Sequence, residues 1–310
     1  MNKFIRAIGF SKYETRKQYS ELVQKAKQEA KKVVSMPIGN KEYATEYMWD
    51  IAEKTGIIVH TTVAGADEYF EYMVPYFRGS IRQCEAPVSV DHRVDEDSWL
   101  AACDDDETGI NFVFRVTNYV DCSNFFERLN SERMKNFPFS VYLSALSTEA
   151  KVILPIERNQ NSHAKRESER KRRQRMQEAA NTGDMETYEM LSFRQLDELT
   201  SAYNRTEKED ILSIVDSNFM PEGLECDRYA IMGDIVGIRK TENPLTKEMF
   251  YQLDVEFFDK RIEVCINEAD LFGEPQIGRR LKGSIWLQGH IELPSLFRRR
   301  ESNGKTEVSD

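Results

Sequence analysis

The sequence predicts an α+β protein: an N-terminal, mostly antiparallel sheet domain with packed helices, then a charged helical connector, then a C-terminal small β-barrel, OB-like in type. Three observations lead there. Between residues 229 and 293, runs of strand length and strand composition follow one another with turn residues between them. Between residues 56 and 156, shorter β runs alternate with acidic loops and one helical stretch. Between these two parts, from Asn159 onward, the chain loses its apolar residues, and seven of the residues from 165 to 175 are basic. The division that follows is residues 1–158 for the α+β domain, 159–223 for the connector, 224–294 for the barrel and 295–310 for a disordered tail.

Residues 4–10 read as a short first strand. Ser11 or Thr15 then caps a helix with Tyr19, Leu22, Val23 and Ala26 on one face and Lys17, Lys25, Lys27, Lys31 and Lys32 on its exposed side. Residues 43–54 fit helix or strand, whereas 57–63 form a clear β run. Gly65-Ala66-Asp67 reverses the chain into a hairpin partner over 68–77, with Pro75 at its edge or its end. Residues 88–94 and 110–120 are further strands around an acidic segment, and 123–134 is helical. Residues 139–143 and 151–156 make a hairpin through a Ser/Thr/Glu turn.

In the connector, Ala, Arg, Lys, Gln and Glu favour helix as far as Ala180, and Asn181-Thr182-Gly183 stops it. Ser192 with Gln195, and Thr206 with Glu209, match capping boxes ahead of the stripes Leu196/Leu199 and Ile211/Leu212/Val215. In the last part, strands over 229–238, 249–257, 261–267 and 283–293 are separated by Asn243-Pro244, by Asp259-Lys260 and by a helical turn over 268–272. The Gly- and Pro-bearing stretch 273–278 continues neither a helix nor a central strand. Closing these strands into a barrel removes the edges that an open sheet of this size exposes.

A formal net charge of -10 excludes a nucleic-acid or anionic-membrane footprint spread over the whole surface. The five cysteines are odd in number and widely spaced, which fits reduced thiols and neither a disulfide framework nor a Cys-x-x-Cys metal pair. No apolar run approaches the roughly 20 residues of a membrane helix. Together these features predict a cytoplasmic protein with no membrane partner.

No phosphate-binding Gly-rich loop, dinucleotide fingerprint or Gly-x-Ser-x-Gly elbow occurs, and no cofactor is implied. The acidic residues around Asp91-His92 and from Asp104 to Glu107 lack calcium-loop spacing, and the four histidines lack zinc spacing, so no metal is assigned. The basic run 165–175 has no interleaved aromatics and reads as a solvated helix.

The stretch that stands out holds Arg279, Arg280 and Lys282, followed by Trp286, Gln288 and His290, which alternation places on one strand face. If that face meets solvent, it is a stacking platform with a basic mouth, suited to single-stranded nucleic acid. The alternative is a Trp packed under a neighbouring helix and arginines paired with Glu256 or Glu274. The resulting expectation is a binding or scaffolding protein without catalytic activity, its partner a protein or a single-stranded nucleic acid. The alternative is an enzyme whose site is assembled between domains from residues such as Arg78, Asp91 and His92.

Several segments carry a resemblance: residues 4–11, Pro75-Tyr76-Phe77-Arg78-Gly79, residues 213–216 with Phe219-Met220-Pro221, Glu225-Cys226-Asp227, Gly273-Glu274-Pro275 with Gly278-Arg279-Arg280, and Trp286-Leu287-Gln288-Gly289. In these the chain resembles an uncharacterised bacterial family, a domain-of-unknown-function group of Gram-positive hypothetical proteins, over its length to about residue 292. The resemblance implies a bacterial source and assigns no activity, cofactor or catalytic residue.

Overall fold

The computed structural model describes residues 2–39, 41–86, 88–93, 98–105, 110–128, 139–155, 171, 175, 217–223, 227–258 and 260–294. Apart from Lys171 and Arg175, which are helical, the predicted helices between 159 and 216 and the tail from 295 lie outside the described residues. Of these residues, 62% are in strands and 16% in helices. That corrects the α+β expectation: the molecule is mostly β and consists of two sheets, with no small barrel standing by itself.

The smaller sheet is an antiparallel meander of β1 (Lys32–Gly39), β2 (Glu42–Ala52), β3 (Thr55–Ala64) and β4 (Asp67–Phe77), paired in that order. β2 is the stretch whose pattern fits helix or strand. It is a strand because β1 and β3 take up its backbone groups on both sides. α1 (Arg16–Gln28) packs on this sheet through Leu22, Val23 and Ala26. Of the two caps the sequence offers, Ser11 and Thr15, it is Thr15 that caps it, in a full capping box with Gln18.

The larger sheet contains β5 (Arg82–Ala86), β6 (Ser89–Arg93), β7 (Ser98–Asp105), β8 (Ile110–Val116), β9 (Phe139–Ile153), β10 (Asn218–Pro221), β11 (Arg228–Glu242), β12 (Met249–Phe257), β13 (Lys260–Asn267), β14 (Leu271–Phe272) and β15 (Arg280–Glu292). Its order is β10-β11-β12-β13-β9-β15-β8-β7-β6, with β5 and β14 also on β9 and a further pairing of β11 with β15. Between β8 and β9 the chain forms α2 (Tyr119–Arg128), which packs on β1.

The predicted hairpin at 139–156 is instead one continuous strand, and this explains the missing separate barrel. β13 pairs with β9 in parallel and β15 pairs with β9 antiparallel, so the C-terminal strands are joined through a strand from residues 139–153. The Ser147-Thr148-Glu149 stretch that looks like a turn does not reverse, because the Ser147 hydroxyl donates to the Ser284 carbonyl of β15 at 2.8 Å and is fully buried. The hydroxyl also meets the Glu149 backbone, at 3.2 and 3.4 Å, but its shortest bond is the one to the neighbouring strand.

The predicted first strand is likewise a 3-10 helix, Lys3–Ile8. Phe4, Ile5, Ala7 and Ile8 are all buried while Lys3 and Arg6 reach solvent, a spacing of three and not the alternation of a strand. It is fastened through its carbonyls: Asn267 donates to Arg6 at 3.0 Å, Asn243 to Ile8 at 2.8 Å and Thr246 to Gly9 at 2.5 Å. Arg6 adds a two-pronged ion pair to Asp270, at 2.7 and 2.5 Å. Gly9 has φ +87 and lies so close to Asn243 that a Cβ would approach that side chain to 2.7 Å, so both conformation and space require glycine there.

Two apolar clusters result. One lies against one face of the larger sheet and includes Phe114, Leu143, Ile235, Val255, Leu287 and Ile291. The other fills the space between the two sheets, α1 and the N-terminal 3-10 helix, and includes Ile57, Met73, Phe10, Phe250 and Trp286. β15 is therefore covered on both faces over most of its length.

Candidate binding groove

The predicted site residues separate into three environments. Trp286 and Gln288 point between the sheets. Trp286 is 5% exposed, its ring meets Phe4 with centroids 4.8 Å apart, and its indole N–H donates to Asp227 at 2.6 Å. This matches the alternative of a Trp packed under a neighbouring helical element. The Gln288 amide donates to the Pro75 carbonyl at 2.9 Å, and its oxygen accepts from the Phe77 N–H at 3.1 Å. Ser144, directly opposite Gln288 on β9, donates to the Phe77 carbonyl at 2.5 Å. These two side chains hold the end of β4 on the larger sheet.

Arg280 is buried, donating to the Leu154 carbonyl at 3.0 Å. Arg279 is half-buried, and its guanidinium reaches the Glu274 backbone carbonyl at 3.2 Å, where the sequence suggests the Glu274 carboxylate. His290 is half-buried opposite Tyr142. Lys282 alone among the six is exposed.

Lys282 opens onto a groove of about 680 Å³ between β9, β10, β11 and β15. Buried Met232 and half-buried Ala230 supply an apolar floor, while Glu149, Lys151, Glu222 and Lys282 stand along the rim. Strand register orders this face. Asn218 of β10 is opposite Met232 of β11, Met232 is opposite Lys282 of β15, Lys282 is opposite Lys151 of β9, and Lys151 is opposite Phe272 of β14. At Gly283 the strands crowd: a Cβ would meet Ala150 Cβ at 2.6 Å and the Glu149 carbonyl at 2.7 Å. The irregular register between Ser284 and Trp286 lies just beyond. Sequence reading misses Lys151 and Phe272 as site residues, because only the pairing of β9 with β14 and β15 brings them to Lys282.

Two other constellations bear on chemistry. Lys54 donates to the Ser80 hydroxyl at 2.8 Å, an arrangement that in a serine nucleophile needs a neutral amine. Here the Lys54 ammonium also sits 2.6 Å from the Glu263 carboxylate, which is 5% exposed and takes the Ser80 N–H and hydroxyl as well. The trio is an ionic fastening of the β2–β3 turn to β13.

Between the sheets, Glu46 of β2 lies opposite His60 of β3, with His60 Nδ1 3.5 Å from its carboxyl. The imidazole lies against the Tyr72 ring, tilted by 31° with centroids 4.1 Å apart, and Arg115 lies over both Tyr72 and Trp286, at 5.3 and 5.6 Å. Burial, and then the nearby Asp121 carboxylate, push the Glu46 carboxyl up to about 8, against the Val120 N–H, Lys32 and Arg115. Burial, and then Arg115, hold His60 well below its usual value. Glu46 is 1% exposed, so this acid and base are withdrawn from any substrate.

The remaining candidates are dispersed. Arg78 lies over Tyr76 and near Asp50, whereas Asp91 and His92 are in β6 at the edge of the larger sheet. Asp104 accepts from Asn111 at 2.7 Å and Asp105 pairs with Lys260 at 2.8 Å. Among the described residues no cluster of three His, Cys, Asp or Glu stands ready to hold a metal ion. Among them also, no helix is long and apolar enough to cross a membrane.

A family model described as a domain of unknown function, E. rectale gene description (DUF3881), matches residues 5–289. Comparison with curated proteins and with solved structures gives no match.

Proposed function

The chain belongs to the DUF3881 family, a bacterial domain of unknown function, and from that premise we propose that it is a binding protein without catalytic activity whose ligand enters the groove between β9, β10, β11 and β15. The groove itself carries the reading: an open concavity of about 680 Å³ with an apolar floor and a polar rim, built on paired strands that hold its shape before a ligand arrives. The buried acid–base pair lies elsewhere. Glu46 and His60 are enclosed between the sheets, and Lys54 is committed to Glu263.

Methyl NMR spectra test this. A mixture of aromatic fragments is expected to shift the Met232 methyl signal ahead of those of the sheet interior, and Ser284→Trp, which fills the groove, is expected to abolish the shift. Fragments that perturb only methyls away from the groove would place the binding surface elsewhere.

The cytoplasm is the proposed compartment. Cys122 and Cys265 are free thiols and buried, which supports a reducing environment. Alkylation of the unfolded, unreduced protein is expected to label all five cysteines. A stoichiometric internal disulfide would contradict this placement.

A further inference from the structure

We infer that the ligand of this groove is single-stranded nucleic acid, with Lys151 and Lys282 holding phosphates and Phe272 stacking against a base. The inference rests on the groove reading above and adds to it the class of ligand.

Three observations carry it. First, Lys282, Lys151 and Phe272 stand side by side on β15, β9 and β14, in one cross-strand row on the face where the groove opens. Second, both lysines are exposed, and among the described residues no carboxylate lies within ion-pair distance of either. Lys27, Lys32, Lys54, Lys240, Lys247 and Lys260 each hold one. Like charges at directly opposed strand positions destabilise a sheet, and a phosphate lying across the two offsets that repulsion. Third, Phe272 is 76% exposed, with Leu154 at 73% and Ile277 at 72%, so a flat aromatic face and apolar surface are presented to solvent.

A ligand that is anionic along its backbone and has unstacked planar faces satisfies all three at once. A duplex keeps its bases stacked inside and offers Phe272 nothing. An acidic peptide answers the lysines and leaves the aromatic unexplained. Glu149 and Glu222 on the rim repel phosphate and so keep the strand along the Lys282–Lys151 row. Arg280 has no part, since its guanidinium is buried against Leu154 and Met232.

The test uses the full chain and a fluorescent oligothymidylate of about 12 nucleotides, within the range of single-strand site sizes, read by anisotropy. Binding is expected at low salt. Two neutralised phosphates should give a slope of log K against log salt of about −1.4. Lys151→Glu/Lys282→Glu is expected to lower affinity at least about tenfold and to flatten that slope, with the unfolding transition unchanged. Phe272→Ala is expected to lower affinity about tenfold and to leave the slope as it was.

Failure of the wild-type chain to bind the oligonucleotide overturns the ligand class. If fragments still shift Met232, the groove reading survives that result. Equal binding by the double charge reversal, or equal competition by a polyglutamate of matched charge, also overturns the assignment.

Discussion

Trp286→Ala is expected to lower the unfolding free energy by roughly 3 to 5 kcal/mol, the usual cost of emptying a large buried aromatic site. The ring fills the space between the sheets against Phe4, its N–H is taken by Asp227, and Arg115 lies over it. Truncation therefore leaves a cavity and also strips a buried carboxylate of a donor. Trp286→Phe keeps most of the volume and loses only that donor, so it should cost about 1 to 3 kcal/mol. Chemical denaturation of both variants measures the difference. A Trp286→Ala protein as stable as the parent would mean that the indole is not clamped between the sheets. Oligonucleotide affinity of a folded Trp286→Phe variant should equal that of the parent, because stacking belongs to Phe272 on the outer face.

A second large effect is a loss of stability with rising pH, centred on Glu46. Its carboxyl is raised from 4.5 to about 8 in the folded protein. Between those values the native state holds a proton that the unfolded chain has released, so stability falls as pH rises through this window. Above about pH 8 the full penalty applies, on the order of 4 to 5 kcal/mol. His60 acts in the opposite direction. Its folded value is held below 6.5, so the unfolded chain takes up a proton first and stability is lost as pH falls below 6.5. The two slopes oppose each other on the acid side, and the Glu46 slope stands alone from about pH 6.5 to 8.

Denaturation midpoints at pH 6, 7, 8 and 9 should therefore decline in the parent and stay nearly level in Glu46→Gln. An equal decline in both proteins would assign the effect to other groups. Asp121, Lys32, Arg115 and Cys122 all face this carboxyl or its surroundings, so Asp121→Asn is expected to reduce the slope in part by removing the like charge beside it.

Legibility of the fold followed how each segment meets its surroundings. β12, β13 and the β3–β4 hairpin are plain in the sequence, because strand runs bounded by turn residues survive as strands paired with their sequence neighbours. β1 went unread because Pro37 interrupts a run flanked by lysines, yet an edge strand accommodates proline. β7 went unread because its last residues are acidic. Asp105 is nonetheless buried, neutralised by Lys260 from β13, a partner far away in the chain.

At the site, alternation rightly put Trp286 and Gln288 on one face, but it does not tell which face meets water when neighbouring elements cover both. Lys282 was legible as an exposed base. Its companions Lys151 and Phe272 were not, since their adjacency depends on strand register between segments remote in sequence.

The insertion of β9 between β13 and β15 has a consequence for biosynthesis. When Ile153 leaves the ribosome, only β5 among the partners of β9 has already been made, and it matches only the first residues of the strand. The strands that cover the remainder begin at Lys260 and Arg280. At roughly 5 to 20 residues per second, that leaves β9 waiting on the order of 5 to 20 s with its backbone edges unpaired and its apolar side chains uncovered. Nascent chains stalled between these two points should be the form that aggregates or recruits a holdase, and release beyond residue 292 should end that vulnerability abruptly.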